Sequence, residues 1–234
     1  MINKAFILGA GLGTRMRPLT DNIPKPMVEV GEESLIRRAL WQLSDHGVTD
    51  ITINTHYKAE ELRAHLADHA NINWSHEDIL LNTGGGIAKT LPHFKEQDFF
   101  VIAGDSYWID APAQTALSRL QEHWNPAAMD ILLLLEPVSR MRLTTGVGDY
   151  NFTAGVGFGP IRRSLAQTGT HMFTSLRINT ARIFDDCPPG PFSYLDLMDK
   201  AESQGRLFGL EHDGIWHHLS TPQDVAAVNK ALKG

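Results

Sequence analysis

A chain of 234 residues leaves room for one elaborated domain or two small ones, and 42% hydrophobic content fills a core of that size without staples. The single cysteine, Cys187, excludes an intrachain disulfide framework, and in Asp185-Asp186-Cys187-Pro188-Pro189 it reads as an inert loop thiol. With 21 basic against 27 acidic residues the net charge is -6, which argues against a nucleic-acid partner but allows a small basic pocket. No window approaches the ~20 apolar residues of a membrane span. The apolar run at 5–12 is short, is followed by Arg15 and Arg17, and has no small-residue cleavage site, so it reads as a buried strand of a soluble, cytoplasmic protein.

In chain order, the apolar runs at 5–8, 51–54, 99–103 and 131–135 predict buried strands, and their two-sided apolarity predicts parallel neighbours. Between the first two, Leu35, Ile36, Ala39, Leu40 and Leu43 share one helical face, with Gly47 placed to end the helix. Residues 59–67 put Leu62 and Leu66 on one face, and 113–123 do the same for Ala116, Leu117 and Leu120. This alternation is that of β-α-β units. The stretch 138–170 interrupts it with glycines, arginines and a short alternating run from Tyr150 to Val156, and reads as an inserted hairpin lobe within one domain. Ser193 and Asp196 then make a capping pair before Tyr194, Leu197, Met198 and Ala201, and the spacing holds until Gly205. Thr221, Pro222 and Asp224 open a last helix with Val225, Val228 and Leu232 as its inward stripe.

The first strand runs into Gly9-Ala10-Gly11-Leu12-Gly13-Thr14-Arg15-Met16-Arg17-Pro18-Leu19-Thr20, and Pro24-Lys25-Pro26 follows. A dinucleotide fingerprint would need a third glycine where Thr14 stands, a helix starting in the loop, and an acidic residue about 20 positions later. Pro18 would break such a helix after barely a turn. A P-loop would end its glycine run in Gly-Lys-Ser/Thr, which is missing. What remains is a loop whose glycines let backbone N–H groups approach phosphate oxygens, an arginine that can fork onto them, and a lysine on a backbone fixed by two prolines. A tight turn with surface cations accounts for the glycines alone, but not for the whole string.

These residues resemble the signature of the sugar-1-phosphate nucleotidyltransferases, G-x-G-T-R-x-x-P-x-T followed by P-K-P, at 11–20 and 24–26. Thr83-Gly84-Gly85-Gly86 is similar to that family's base-binding turn, and Gly104-Asp105 to its metal-binding aspartate after a core strand. Within the family the chain looks most like the short N-acetylmuramate-1-phosphate uridylyltransferases of cell-wall recycling, with a similar T-G-G-G-I and a G-D-F-like hairpin at Gly148-Asp149-Tyr150. The relatives that activate mannose with GTP come next. The resemblance implies a three-layer α/β/α, Rossmann-like fold with a mixed sheet, in which 1–234 is a single domain holding the 138–170 hairpin lobe.

The reaction it implies is in-line attack of a sugar-1-phosphate oxygen on the α-phosphorus of a nucleoside triphosphate, UTP first among the candidates, releasing pyrophosphate. Gly9, Ala10, Gly11, Gly13, Thr14, Arg15, Lys25 and Asn54 would hold the nucleotide, with Thr83, Gly84 and Gly85 at its base. Arg15, Lys25 and Asp105 would be catalytic, Asp105 holding Mg2+ against phosphate oxygens. No general base is needed, because a phosphate monoester with a second pKa of about 6 is already ionised at neutral pH. Two plainer readings stand beside these: Gly-Asp-Ser is good turn chemistry, and Thr83 to Gly86 can simply start a helix.

One departure lies in Trp216-His217-His218-Leu219-Ser220-Thr221, where the family usually has W-x-D-x-G-T with a second metal-binding aspartate. His218 takes that position. Magnesium prefers hard oxygen, whereas Mn2+, Co2+ and zinc accept nitrogen more readily. Three consequences are open: His218 ligates a softer ion such as Mn2+ or Co2+; Asp105 suffices with phosphate and water completing the shell, which is the preferred reading; or the site is degraded and the protein only binds nucleotide sugars. Ser220 for a glycine and Asn82 for a frequent acidic residue are smaller departures. His212, His217 and His218 do not read as a zinc cluster, since adjacent histidines on a strand point to opposite faces and no cysteine joins them.

Arg140, Arg142, Arg162 and Arg163 flank the hairpin, and Arg177 lies on the run 173–179. They form either a solvated face or a receptor for an acidic acceptor such as a muramic sugar, whose lactyl carboxylate a guanidinium can fork onto. Asp149, Arg177 and Asn179 are the sugar-binding candidates. The expected partners are a nucleoside triphosphate and a sugar 1-phosphate, and the expected assembly is a monomer or weak homodimer.

Overall fold

The computed structural model describes residues 1–155 and 157–234. β1 (Lys4–Leu8) ends in the glycine loop, and a small hairpin of β2 (Glu29–Val30) and β3 (Glu33–Ser34) leads into α1 (Leu35–Asp45). Ser34 Oγ caps that helix by accepting from the Arg37 N–H, and Gly47 leaves it at φ 91°. β4 (Asp50–Thr55), α2 (Ala59–His65), β5 (Ile72–His76), α3 (Asn82–Ala88) and α4 (Leu91–Phe94) follow, then β6 (Phe99–Ala103) and β7 (Tyr107–Ile109). The middle of the chain gives α5 (Ala116–His123), β8 (Ile131–Pro137), β9 (Tyr150–Phe152), β10 (Phe158–Arg163) and β11 (His171–Asn179). It closes with α6 (Tyr194–Ser203), β12 (Leu207–Glu211), β13 (Ile215–His217) and α7 (Pro222–Leu232).

Among the described residues, nine strands form one sheet in the order β5-β4-β1-β6-β11-β8-β12-β10-β9. β1 is parallel to β4 and β6, as two-sided apolarity requires. β8 is parallel to β12, but β11 lies antiparallel between β6 and β8, which makes the sheet mixed. Alternation sorts the strand residues onto two cores. Ile7, Ile102 and Leu134 pack with Leu40 of α1, Leu62 of α2 and Leu120 of α5. Phe6, Val101 and Leu133 pack on the other face with Ile87 of α3, Phe94 of α4 and Leu197 of α6. Helices therefore cover both faces in three layers, each such buried side chain contributing about 1.5–3 kcal/mol. No helix among the described residues is long and apolar enough to cross a membrane.

The hairpin of β9 and β10 continues the main sheet at its edge, β10 pairing also with β12 and β9 with β11. Two expectations are corrected. Strand β9 ends at Phe152, short of the expected alternation, and Val156 lies outside the described residues. In α7, Val225 and Val228 are buried but Leu232, one turn on, is 46% exposed, since the last turn runs past the cluster that holds the other two. Ser193 caps α6 by accepting from the Leu195 N–H, while Thr221 and Asp224 form the full reciprocal box at α7. Val225 and Val228 also pack with Met16 and Leu219, which ties α7 to the loop after β1.

Candidate active site

The carboxyl ends of β1, β4 and β6 open on a cleft of about 1080 Å³, the edge where open α/β sheets receive ligands. Its floor is the turn after β1. Gly13 sits in the left-handed region at φ 62°, and a Cβ there would come within 3.1 Å of Lys25 Cβ and 3.2 Å of Thr20 Cγ2. Thr20 Oγ1 donates to Gly13 O at 2.8 Å and fixes the bend. Thr14–Met16 make a single 3-10 turn that stops before Pro18. Among the described residues, the backbone N–H groups of Gly11, Leu12, Gly13, Thr14 and Arg15 make no hydrogen bond to protein. Such a concave run of N–H groups favours anions. Arg15 is exposed on the cleft wall, without an ion-pair partner among the described residues.

The start of the turn is braced from beneath. Gly9 N–H donates to Asn54 Oδ1 at 2.7 Å, Asn54 Nδ2 donates to Glu77 Oε1 at 2.7 Å, and Leu81 N–H donates to Glu77 Oε2 at 2.9 Å. Asn54, expected to touch nucleotide, thus has both ends of its amide engaged and positions the turn. A Cβ on Gly86 would lie 2.6 Å from Glu77 Oε1, so the glycine is what admits the carboxylate. Glu77 is 1% exposed and was not legible in the sequence: it belongs to no motif, and β5 before it is polar at Asn73 and Ser75.

Lys25 and Asp105 meet at the other side of the turn. Lys25 Nζ is 2.5 Å from Asp105 Oδ2 and donates to Leu219 O at 2.7 Å. Pro26 is buried, and a Cβ on Gly104 would lie 2.9 Å from Leu8 O and 3.1 Å from Pro26 Cγ, so Gly104 lets the end of β6 close on the lysine's backbone. His218, just past β13, is half-buried and its backbone N–H donates to Thr144 Oγ1 at 3.0 Å. Burial first, then the charges of Lys25 and Arg15, hold its imidazole below the usual histidine range and so neutral at pH 7. His217 points elsewhere, against Tyr107 with ring centroids 5.9 Å apart. Among the described residues no three His, Cys, Asp or Glu side chains gather as a metal cage. Asp105 nevertheless offers a hard carboxylate beside the anion-binding turn, and Mg2+ commonly takes one or two carboxylates and completes its shell with phosphate and water. The donor set fits that use.

Thr83, Gly84 and Gly85, expected at the base, lie in the first turn of α3. Thr83 reaches the cleft edge, where its Oγ1 accepts from Tyr194 N–H at 3.0 Å. The N–H groups of Gly84 and Gly85 are both given to Phe192 O, and a Cβ on either would strike Phe192 or Gly190. These glycines serve close packing, a use that a glycine run does not distinguish from ligand contact. Gly84 and Gly85 are buried and do not line the cleft.

On the acceptor side, Asp149 lines the cleft with Oδ2 accepting from Phe173 N–H at 2.9 Å. Asn179 does not; it is fully buried, accepting from Tyr194 OH at 3.2 Å. Of the expected arginines, Arg163 and Arg177 line the cleft. Arg163 is paired with Asp199 at 2.7 Å, Arg162 stands near Glu202, Arg140 is held by Glu136 and His212 O, and Arg142 is exposed.

Residues 4–142 match a family model described as Nucleotidyl transferase. The chain is 34% identical to an N-acetylmuramate alpha-1-phosphate uridylyltransferase of Caulobacter vibrioides, over 97% of this chain and 96% of that protein. It is 33% identical to a protein of the same name from Neisseria meningitidis serogroup B, over 93% of each. Among solved structures, a UDP-glucose pyrophosphorylase complexed with UDP-glucose superposes with a TM-score of 0.80 at 18% identity, over 100% of this chain and 99% of the other.

Proposed function

The chain belongs to the nucleotidyl transferase family, and from that premise we propose that it joins a nucleoside triphosphate to a sugar 1-phosphate with release of pyrophosphate, the pair being UTP and N-acetylmuramate 1-phosphate. The class of reaction follows from the family; the choice of pair leans on the two uridylyltransferase relatives. The observation that carries the reading is the turn after β1, where five adjacent N–H groups without a protein partner among the described residues, the Arg15 guanidinium and the Lys25–Asp105 pair line one cleft of about 1080 Å³.

Two anions must be brought into contact, and bulk repulsion opposes it. The turn takes the polyphosphate through its N–H groups, Arg15 forks onto phosphate oxygens, and Lys25 supplies a point charge from a backbone already fixed by its prolines. Positioned cations of this kind act in a water-poor cleft, where they are worth several kcal/mol. A divalent cation held by Asp105, with phosphate and water completing its shell, would supply charge neutralisation at the phosphate oxygens when bound. The acceptor's phosphate is its own nucleophile, so no side chain has to remove a proton.

A binding-only role is favoured by one observation, His218 where the family usually has an acid. A panel of UTP, GTP, CTP and dTTP against muramic, glucosamine and mannose 1-phosphates, read by pyrophosphate release, separates the cases. Release confined to UTP with the muramic acceptor supports the proposal. Release with GTP and mannose 1-phosphate reassigns the pair, and binding without release in any combination supports the sensor.

A further inference from the structure

Arg177 lies in the wall of the cleft in a state that the fold alone does not account for. It is 3% exposed, and its Nε and Nη2 have no hydrogen-bond partner among the described residues. Its guanidinium carbon stands 3.7 Å from the centroid of the Tyr194 ring and 5.8 Å from that of Phe173, and no carboxylate among the described residues pairs with it. The other cleft arginine of this region, Arg163, has Asp199. A guanidinium keeps its charge at any pH a protein meets, and a buried charge without a counter-ion is destabilising where an apolar side chain of the same volume is not.

The backbone beside it is strained too. β11 pairs Phe173 with Leu135 and Arg177 with Leu133, so it carries two more residues than β8 over the same span, and Ser175 within that excursion sits at φ 68°. Phe173, Ser175 and Arg177 all line the cleft. Strain and an unpaired charge meeting in one ligand-facing wall is the pattern of a site whose compensation arrives with the ligand. The ladder sets Arg177 opposite Val101, two residues before the end of β6 and four before Asp105, so it stands further down the same cleft wall than the phosphate-handling end.

We infer that Arg177 is the counter-charge for a carboxylate carried by the acceptor sugar, and that it sets the preference for an acidic sugar 1-phosphate over its neutral counterpart. The inference rests on the nucleotidyl-transfer reading of the same cleft for the identity of the acceptor. The rings of Tyr194 and Phe173 hold the guanidinium in place, and its Nε and Nη2 remain without a partner for a bidentate pair.

The test is calorimetric titration of the full chain, with a non-transferable UTP analogue present, using N-acetylmuramate 1-phosphate and N-acetylglucosamine 1-phosphate, which differ in the lactyl carboxylate. The wild-type protein is expected to bind the acidic ligand at least about 10-fold more tightly, the scale of one charge-assisted hydrogen-bonded pair. Arg177→Met is expected to erase that preference, leave the neutral ligand within about 2-fold and raise the Tm of the unliganded protein. Arg177→Lys, which keeps the charge but loses the fork, retains part of the preference and carries the test if the methionine variant does not fold. A preference that survives Arg177→Met, an equal loss for both ligands, or no preference in the wild type overturns the inference. Loss of the preference on substitution, in a wild-type protein that releases no pyrophosphate from UTP, would keep the subsite and remove the transfer reaction.

Discussion

Lys25 and Asp105 are 80 residues apart in the chain and 2.5 Å apart in space, and Leu219 O closes on the same ammonium at 2.7 Å. Three segments, the proline-braced turn, the end of β6 and the strand-to-helix link before α7, are thereby fixed to one cation beside the loop after β1. Removing the carboxylate leaves the lysine with a carbonyl partner and, under the proposed function, takes away the acid that would hold the metal. Asp105→Ala is expected to lower kcat for pyrophosphate release at least ~100-fold with the fold intact, the scale of losing one electrostatic stabiliser. Unchanged turnover would show that the aspartate is only a turn residue.

Asn54 and Glu77 line the cleft and brace the loop from beneath through their hydrogen bonds. Asn54→Ala leaves Glu77 Oε1 and the Gly9 N–H unpartnered in a buried place, so the variant should lose about 2–4 kcal/mol of unfolding stability. It should also weaken nucleoside triphosphate binding more than it lowers kcat. Urea denaturation together with the split between KM and kcat checks both; an unaffected KM would mean that the brace does not govern the loop.

Asp130 gives the clearest dependence on pH. Burial raises its pKa, but hydrogen bonds from Arg206 and Arg182 outweigh that, and the carboxyl is held below the ordinary aspartate value. A depressed folded-state pKa means that the stabilisation is complete above the unfolded value of about 3.9 and is lost as pH falls through the folded one. Asp130→Asn should therefore cost about 2 kcal/mol near pH 7 and progressively less in acid, where wild-type Asp130 is itself neutral. Equal deficits at both pH values would contradict the assignment.

His218 is neutral at pH 7 and lies in the field of Lys25, Arg15 and Asp105. An aspartate there would face two cations and offer magnesium a hard oxygen. His218→Asp is expected to hold or raise magnesium-supported turnover, measured with Mg2+ and Mn2+ in parallel. A collapse of activity in a folded variant would assign the imidazole a task of its own.

The sequence disclosed what repeats or punctuates. Apolar runs gave β1, β4, β6 and β8, and Thr221 with Asp224 gave the start of α7. The strand from Phe173 onward was read as a run, but nothing local indicated that it would insert antiparallel between β6 and β8, because that placement is a long-range choice of pairing. The turn carrying Gly13, Arg15 and Lys25 stood out as a motif because each residue type there is one that suits a phosphate. Glu77 was not, since a lone carboxylate carries no spacing, and in a sequence glycines that admit Phe192, as Gly84 does, look the same as glycines that admit a base. Arg177 stood out as one arginine among several, and only its burial beside Tyr194 separates it from the paired ones.

The central claim is that the N–H groups after β1 take a polyphosphate. Amide-resolved NMR of the full chain during titration with UTP and magnesium measures it directly. Saturable shifts of the Gly11, Gly13 and Thr14 amide resonances are expected, displaced to lower affinity in Arg15→Ala; saturation that leaves those amides unmoved, or no binding at all, would contradict the claim.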